Sequence, residues 1–300
     1  MQARRKDPRK AAQSIPRAQP SPAPAQAPTP ARARYTASVS SESSARPSVI
    51  AAVADSASDQ SRLPSLAVIV PVYNESAQAL QLKQRLAQLT AFPHLLVDGG
   101  SSDDTVAQLL DTQALPTLHA HAQQGRYRLL RGATGRAVQM NLGAKHAQAD
   151  VLLFLHADTT FTPQQAHAVT QAVAQGADFG CFSLRIDSCR PLLRVVGGLI
   201  SLRSHLLTSA TGDQAIFMRR SLFEQLRGYR ELALCEDLDL IRRASSCGRF
   251  VCLPTPVSTS ARRWEQRGLA RTIALMWALR VACHAGVDPQ TLRRIYEDVR

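Results

Sequence analysis

The chain has 300 residues, with 36 Lys and Arg against 23 Asp and Glu and a formal net charge of +13. An excess of this size points to an anionic partner, which could be a nucleic acid, an acidic membrane surface or a phosphorylated small molecule. No run of about 18 uncharged apolar residues is present, so no segment reads as a bilayer-spanning helix.

The charge and the composition are unevenly spread. Residues 1–62 hold ten Lys and Arg against four Asp and Glu, and the remainder holds 26 against 19. The first segment is built from Ala, Pro, Ser, Gln and Arg without a sustained apolar period, cannot bury enough surface to offset its ordering entropy, and is expected to be a disordered extension. It lacks the apolar core of a secretory signal, and its prolines would break the amphipathic helix of a transit peptide. Six cysteines, at 181, 189, 235, 247, 252 and 283, form no Cys-x-x-Cys pair and no zinc-type spacing, so reduced thiols in a cytoplasmic protein are expected.

From Leu63 the chain alternates strands and helices. Leu66 to Val72 is apolar and β-branched, a buried first strand, and Tyr73, Asn74 and Glu75 follow at its carboxyl end. Leucines 80, 82, 86 and 89 then recur at helical spacing. His94 to Asp98 is a second strand closing on a carboxylate. After Gly99-Gly100, the run Ser101-Ser102-Asp103-Asp104 has capping-box form and opens a helix through Leu110, which gives Asp103 and Asp104 a structural explanation that Asp98 lacks. Tyr127 to Leu130 predicts a third strand. The loop Arg131-Gly-Ala-Thr-Gly-Arg136 leads into a helix over 137–147, and free backbone NH groups with two guanidinium groups suit an anion there.

Val151 to Leu155 is a short apolar run that stops at His156, Ala157 and Asp158, so a buried strand delivers an imidazole and a carboxylate at its end. In open α/β sheets ligands bind beyond the carboxyl ends of the strands. A helix over 163–175, a strand over 179–186, a helix over 191–207, a polar turn Thr211-Gly-Asp-Gln214 and a strand over 215–218 follow. Ser221 is expected to cap a short helix ended by Gly228, and Glu236-Asp237 open a helix whose dipole they could merely complement. A basic aromatic stretch, Arg262 to Arg267, precedes an apolar helix over 269–285. Packing on the core and lying at a membrane interface are its two open fates.

The ordered set resembles the glycosyltransferases of family 2. It comprises Val70-Pro71-Val72-Tyr73-Asn74-Glu75, the Val97-to-Asp103 segment, the strand ending at Asp158, Phe223 to Tyr229, Glu236-Asp237 and Arg263-Trp264. Gly135-Arg136 through Asn141, Leu155 through Asp158 and Thr211 through Gln214 are similar to a compact bacterial subgroup often labelled arsenosugar-biosynthesis glycosyltransferases. The resemblance implies an α/β fold of GT-A type, a mostly parallel central sheet flanked by helices, with a catalytic domain over 63–256 and C-terminal helices over 257–300 packed on the core.

It also implies roles. Pro71, Tyr73, Glu75, Asp98, Arg136, Asn141, Ala157 and Asp158 would line a nucleoside-diphosphate-sugar site, with Asp98 at the nucleobase, Glu75 near the nucleoside and Arg136 at the diphosphate. Asp158 matches the last carboxylate of the family's Asp-x-Asp motif and would reach a divalent cation, Mn2+ or Mg2+, while His156 stands where the family has its first Asp. Imidazole is more acceptable to manganese than to magnesium. Asp237, beside Glu236, matches the general base of an inverting transfer. Asp213, Gln214, Arg263 and Trp264 would lie on the side of an unidentified acceptor, although Ser260 stands where the family places the Gln of its Gln-x-x-Arg-Trp element. A nucleotidyltransferase is the first rival, but Tyr73-Asn74-Glu75 occupies the place of its Gly-rich basic stretch. The second rival, a nucleic-acid-binding protein, is disfavoured because much of the charge lies in residues 1–62 and the rest lacks an RNA-binding aromatic motif. No nucleic-acid partner is therefore expected, and peripheral membrane contact stays open.

Overall fold

The computed structural model of the protein describes residues 63–261 and 268–298. Seven strands form one sheet: β1 (Leu66–Val72), β2 (His94–Asp98), β3 (Tyr127–Arg131), β4 (Val151–Phe154), β5 (Phe179–Asp187), β6 (Ile216–Arg219) and β7 (Phe250–Ser260). Their order is β3-β2-β1-β4-β6-β5-β7. β1, β2, β3 and β4 run parallel, β5 and β7 run parallel to each other, and β6 is antiparallel to both of its neighbours. The helices are α1 (Ala79–Leu86), α2 (Thr105–Leu110), α3 (Pro116–Gln123), α4 (Arg136–His146), α5 (Pro163–Ala174), α6 (Pro191–Leu207), α7 (Arg220–Gln225), α8 (Glu236–Ala244), α9 (Leu269–His284) and α10 (Pro289–Asp298).

The continuous apolar runs of β1 and β4 follow from burial on both faces. Val68, Val70 and Val72 join one core with Leu96, Val151 and Leu153, while Ala67 and Ile69 join the other with Leu95, Leu152 and Phe154. Pairing Val72 with Asp98 brings the ends of β1 and β2 level. Gly143, an unfavourable residue within a helix, is required by α4's approach to the sheet: a Cβ there would lie 2.4 Å from Cγ2 of Ile69.

The structure alters several expectations. β7 is not announced by its sequence because Pro254 and Pro256 interrupt it, yet it extends through Ser260, so the domain boundary expected at 256 falls inside a sheet strand. The register passes from Phe182↔Leu253 to Leu184↔Val257, which leaves both prolines in an irregularity outside the ladder of an edge strand, where missing NH groups do least harm. α3 and α10 are likewise not announced. Ser221 lies inside α7, whose N-cap is Arg219, and α2 starts after Asp104 without a side-chain cap. The expectation of six reduced thiols is corrected: Cys235 and Cys283 form a disulfide across 48 residues, a pairing that only the fold brings together, while Cys181, Cys189, Cys247 and Cys252 are free.

His94 begins β2 fully buried, with the His121 ring 4.9 Å away and Tyr127 on another side. Burial, then the charges of His121 and Arg126, holds its imidazole down to about 3. The folded state therefore refuses a proton that the unfolded chain accepts near pH 6.5, so stability present above that pH is lost as pH falls toward 3. We expect urea denaturation to show this loss, and His94→Leu to flatten it by several kcal/mol.

Candidate functional site

The carboxyl ends of β1, β2 and β4 open onto one edge of the sheet, and a network of short bonds fixes their loops. From α4, Gln139 Nε2 donates to the carbonyls of Val72 at 2.8 Å and Val97 at 2.7 Å, locking the two strand ends together. Sequence reasoning passed over Gln139, whose only signal was its place in the helix after the basic loop. Asn74 has a left-handed φ of 52° and accepts the Ser102 N–H at 2.9 Å, while its own N–H donates to Ser101 Oγ. Asp103 accepts from the Ser76 and Thr105 N–H groups, and Thr105 Oγ1 accepts from Glu75 N–H at 2.7 Å. The Thr105 hydroxyl above all, with Ser76 also donating, pulls the Asp103 carboxyl down to about 2, in keeping with a scaffolding role.

Asp98 is buried at the end of β2. Its carboxylate accepts the Gly100 and Ser101 N–H groups at 3.1 Å and lies 3.7 Å from Arg131 Nε. It thus organises the turn that leaves β2. On the same edge Pro71 is partly buried, Tyr73 is exposed, and Glu75 accepts from Gln78 Nε2 at 2.8 Å.

Arg136 opens α4 and spans to α8, where its Nη1 is 3.7 Å from Glu236 Oε1. Five residues on, Asn141 donates to the Tyr229 carbonyl at 2.8 Å and accepts the Tyr229 N–H at 2.9 Å. Both polar atoms of this amide hold the chain that enters α8. Tyr229 itself packs edge-on against Phe154, and its hydroxyl is buried without a hydrogen-bond partner.

The turn after β4 is held by Arg85 of α1, whose Nη1 donates to the Ala157 carbonyl at 3.0 Å, and by Thr159 N–H donating to the His156 carbonyl. Arg85 is a second residue that sequence reasoning missed, because nothing in a leucine-spaced helix marks one arginine as a strap on a distant strand end. His156 and Asp158 are both half-buried. His156 lies against Gly212: a Cβ on that glycine would fall 2.2 Å from His156 Nε2 and 2.6 Å from Asp237 Oδ2. The three elements carrying His156, Gly212 and Asp237 therefore meet where only hydrogen fits.

Asp237 sits in the first turn of α8, next to Cys235, whose φ of 68° turns the chain into the helix. Its Oδ2 accepts the Gly212 N–H at 2.9 Å, and its Oδ1 is buried without a hydrogen-bond partner. Burial, then the neighbouring Glu236 carboxylate, pushes the Asp237 carboxyl up to about 7, with Arg136 and the Gly212 N–H working in the opposite direction. A carboxyl held near neutrality can take up and release a proton under ordinary conditions.

The turn Thr211–Gln214 precedes β6. Gln214 is wholly buried, accepts from Thr211 N–H at 3.1 Å and Ser204 Oγ, and donates to the Phe182 carbonyl at 3.0 Å. The expectation that it faces an acceptor is corrected: its amide is spent inside the protein, on the turn. Asp213 is half-buried and accepts from the Thr211 hydroxyl. Arg203 of α6 donates to Gln214 Oε1 at 3.3 Å, and burial lowers its pKa against the stabilising charge of Asp213. Arg263 and Trp264 lie outside the described residues.

Among the described residues no group of three or more His, Cys, Asp and Glu side chains forms a ready metal cage. Asp158 offers a half-buried carboxylate at the strand end, a hard oxygen donor of the kind magnesium and manganese take when phosphates and water supply the other ligands. The donor set thus fits a cation shared with a phosphorylated ligand.

The strand order, the reversed β6 and a crevice built on the ends of β1, β2 and β4 define an α/β domain of the GT-A fold. Residues 67–198 match the model of the family described as Glycosyl transferase family 2. Two uncharacterized glycosyltransferases from strains of Mycobacterium tuberculosis are each 30% identical over 169 residues, covering 55% of this chain and 60% of theirs. The undecaprenyl-phosphate 4-deoxy-4-formamido-L-arabinose transferase of Sodalis glossinidius is 30% identical over 122 residues, covering 39% of this chain and 36% of its own. A mannosyltransferase from Pyrobaculum calidifontis, solved with GDP-Man and Mn2+, superposes with a TM-score of 0.55 at 18% identity, covering 75% of this chain and 63% of that one, and shares the fold. The chain thus spans about 60% of the length of the first curated relatives it matches.

Because the Gly212 Cα faces both His156 and Asp237, Gly212→Ala should displace the carboxylate by about 1 Å. We expect turnover to fall on the order of a hundredfold while circular dichroism stays native.

Proposed function

We propose that the protein transfers a sugar from a nucleoside-diphosphate sugar to an acceptor hydroxyl, in one displacement that inverts the anomeric centre. The observation that carries this reading is Asp237, a buried carboxyl raised to about 7 beside an arginine-bearing helix start and the end of β4. The family match over residues 67–198 and the GT-A fold support sugar transfer. The Pyrobaculum mannosyltransferase, whose structure contains GDP-Man and Mn2+, supports a nucleotide-sugar donor and a divalent cation.

In this reading Asp237 accepts the proton of the attacking hydroxyl as the new glycosidic bond forms. Gly212 N–H keeps Oδ2 in place so that the remaining lone pairs of the carboxylate face the proton. Arg136, at the start of α4, lies 3.7 Å from Glu236. Its guanidinium offsets the charge of Glu236 and is available to the departing diphosphate, whose negative charge grows in the transition state. A cation held by Asp158 would neutralise part of that charge when bound. Asp98 and the loops of β1 and β2 would receive the nucleoside, with Pro71, Tyr73 and Glu75 along the same edge. Asp213 would border the acceptor side. His156, packed on Gly212, is proposed to orient the junction of β4 with the base, and to ligate the cation only if it is manganese.

Two measurements test the reading. Asp237→Asn should keep nucleotide binding but lose on the order of 10²- to 10⁴-fold in turnover, the usual contribution of a general base. Because ionising this buried carboxyl costs stability as pH rises from 3.8 through 7, the same variant should also melt at a higher temperature than wild type above pH 7. Near wild-type turnover would remove Asp237 from the mechanism. Asp158→Ala should lower the calorimetric affinity for GDP-mannose in manganese and leave the metal-free affinity unchanged. Equal affinities under both conditions would remove Asp158 as the metal contact.

A further inference from the structure

Helix α6 touches the rest of the protein along a narrow line. Leu193, Gly197 and Ser204 are its buried residues, and a Cβ on Gly197 would come within 2.9 Å of the Leu184 carbonyl of β5. On the outward side Leu192, Val195, Leu199, Leu202 and Leu206 recur at alternating steps of three and four. With Leu207 they are 54% to 70% exposed. The stripe extends about 20 Å at helical rise and presents roughly 600 Å² of apolar surface, the upper end of what a soluble monomer leaves in one patch.

A second helix has the same character. α9 is mostly apolar, with an unbroken apolar run from Ile273 to Leu279, yet Trp277 and Val281 are more than 60% exposed. It is 16 residues long, and no described helix is long and apolar enough to cross a bilayer.

Charge chooses the occupant. Neither helix contains an Asp or a Glu, α6 carries the exposed Arg194 and α9 the exposed Arg271, and the approach to α6 exposes Arg185 and Arg190 with one carboxylate, Asp187, between them. A second copy would set arginine against arginine with no carboxylate on the facing helix to answer it. An anionic bilayer answers the arginines with lipid phosphates, and its interfacial region takes the leucines. We propose that α6 is a membrane-docking helix that lies in the plane of an anionic phospholipid surface.

The helix is also coupled to the site. Arg203 and Ser204 both bond to Gln214, and Gly212 of that turn holds Asp237. Docking through α6 would carry this turn and the carboxylate to the bilayer surface, whether or not the sugar-transfer reading holds.

The test is co-sedimentation with vesicles of phosphatidylcholine containing one third phosphatidylglycerol, and with phosphatidylcholine alone, comparing the full chain with Leu199→Gln/Leu202→Gln/Leu206→Gln. All three positions are exposed, so the melting temperature should not change. Wild type should bind the anionic vesicles preferentially, and the variant should lose on the order of tenfold or more in partitioning. Arg194→Gln should weaken binding to the anionic vesicles several-fold while sparing the melting temperature. Equal binding by wild type and the triple variant would assign adhesion to α9 or to residues 1–62, which both proteins carry, and would overturn the proposal. So would failure of wild type to bind. Light scattering without lipid supplies a third arm: a wild-type dimer that the triple variant dissociates would give the leucine face to a second copy instead.

Discussion

The site depends on one close contact, the insertion of Gly212 between His156 and Asp237. The hydrogen bond from its N–H to Asp237 Oδ2, 2.9 Å long, joins the turn before β6 to the start of α8, and its bare Cα lets the end of β4 come against both. Around this junction three further ties share one form. Gln139 joins β1 to β2, Arg85 joins α1 to the turn after β4, and Asn141 joins α4 to the segment entering α8. Each spans elements distant in sequence, and each ends on backbone atoms, so the loops at the sheet edge are positioned by rigid neighbours and not by their own composition.

The interior of the junction is costly to maintain. Asp237 Oδ1 and the Tyr229 hydroxyl are both buried with no hydrogen-bond partner, an arrangement that folding alone disfavours. The electrostatic effect is mutual: burial first, then the charges of Asp237 and Glu236, hold the Tyr229 phenol well above its ordinary pKa, while burial and Glu236 raise Asp237. A buried carboxylate and a buried phenol left unsatisfied side by side are what a site optimised for chemistry in place of stability would contain.

How much of this the chain discloses in advance depends on the kind of signal. β1, β2, β4 and the helices α1, α4 and α6 are legible because apolar runs and helical spacing reflect burial directly, and the order of strand-end carboxylates forecasts a parallel sheet with one polar edge. β7 is hidden by Pro254 and Pro256, whose tolerance depends on an irregularity that pairing with β5 creates. Asp98 and Asp237 stand out as carboxylates at element ends. Gln139, Arg85 and Gly212 do not, since their roles consist of what lies opposite them in space. The same blindness misreads Gln214, a polar residue in a polar turn that proves to be fully enclosed, and the Cys235–Cys283 disulfide, whose partners are 48 residues apart.

The reversal of β6 divides the site in two. The parallel strands β1, β2 and β4 contribute their carboxyl ends, and because β6 runs the other way it contributes its amino end, the turn Thr211–Gln214, to the same edge. The family match over 67–198 contains the first half and stops before Gly212 and Asp237. The two halves meet through few ties: the crevice on β1, β2 and β4 is braced by Gln139 and Arg85, whereas the turn before β6 is braced by Arg203 and Ser204 of α6, so a change in the segment between β5 and β6 would reach Asp237 before it reached the ends of β1 and β2.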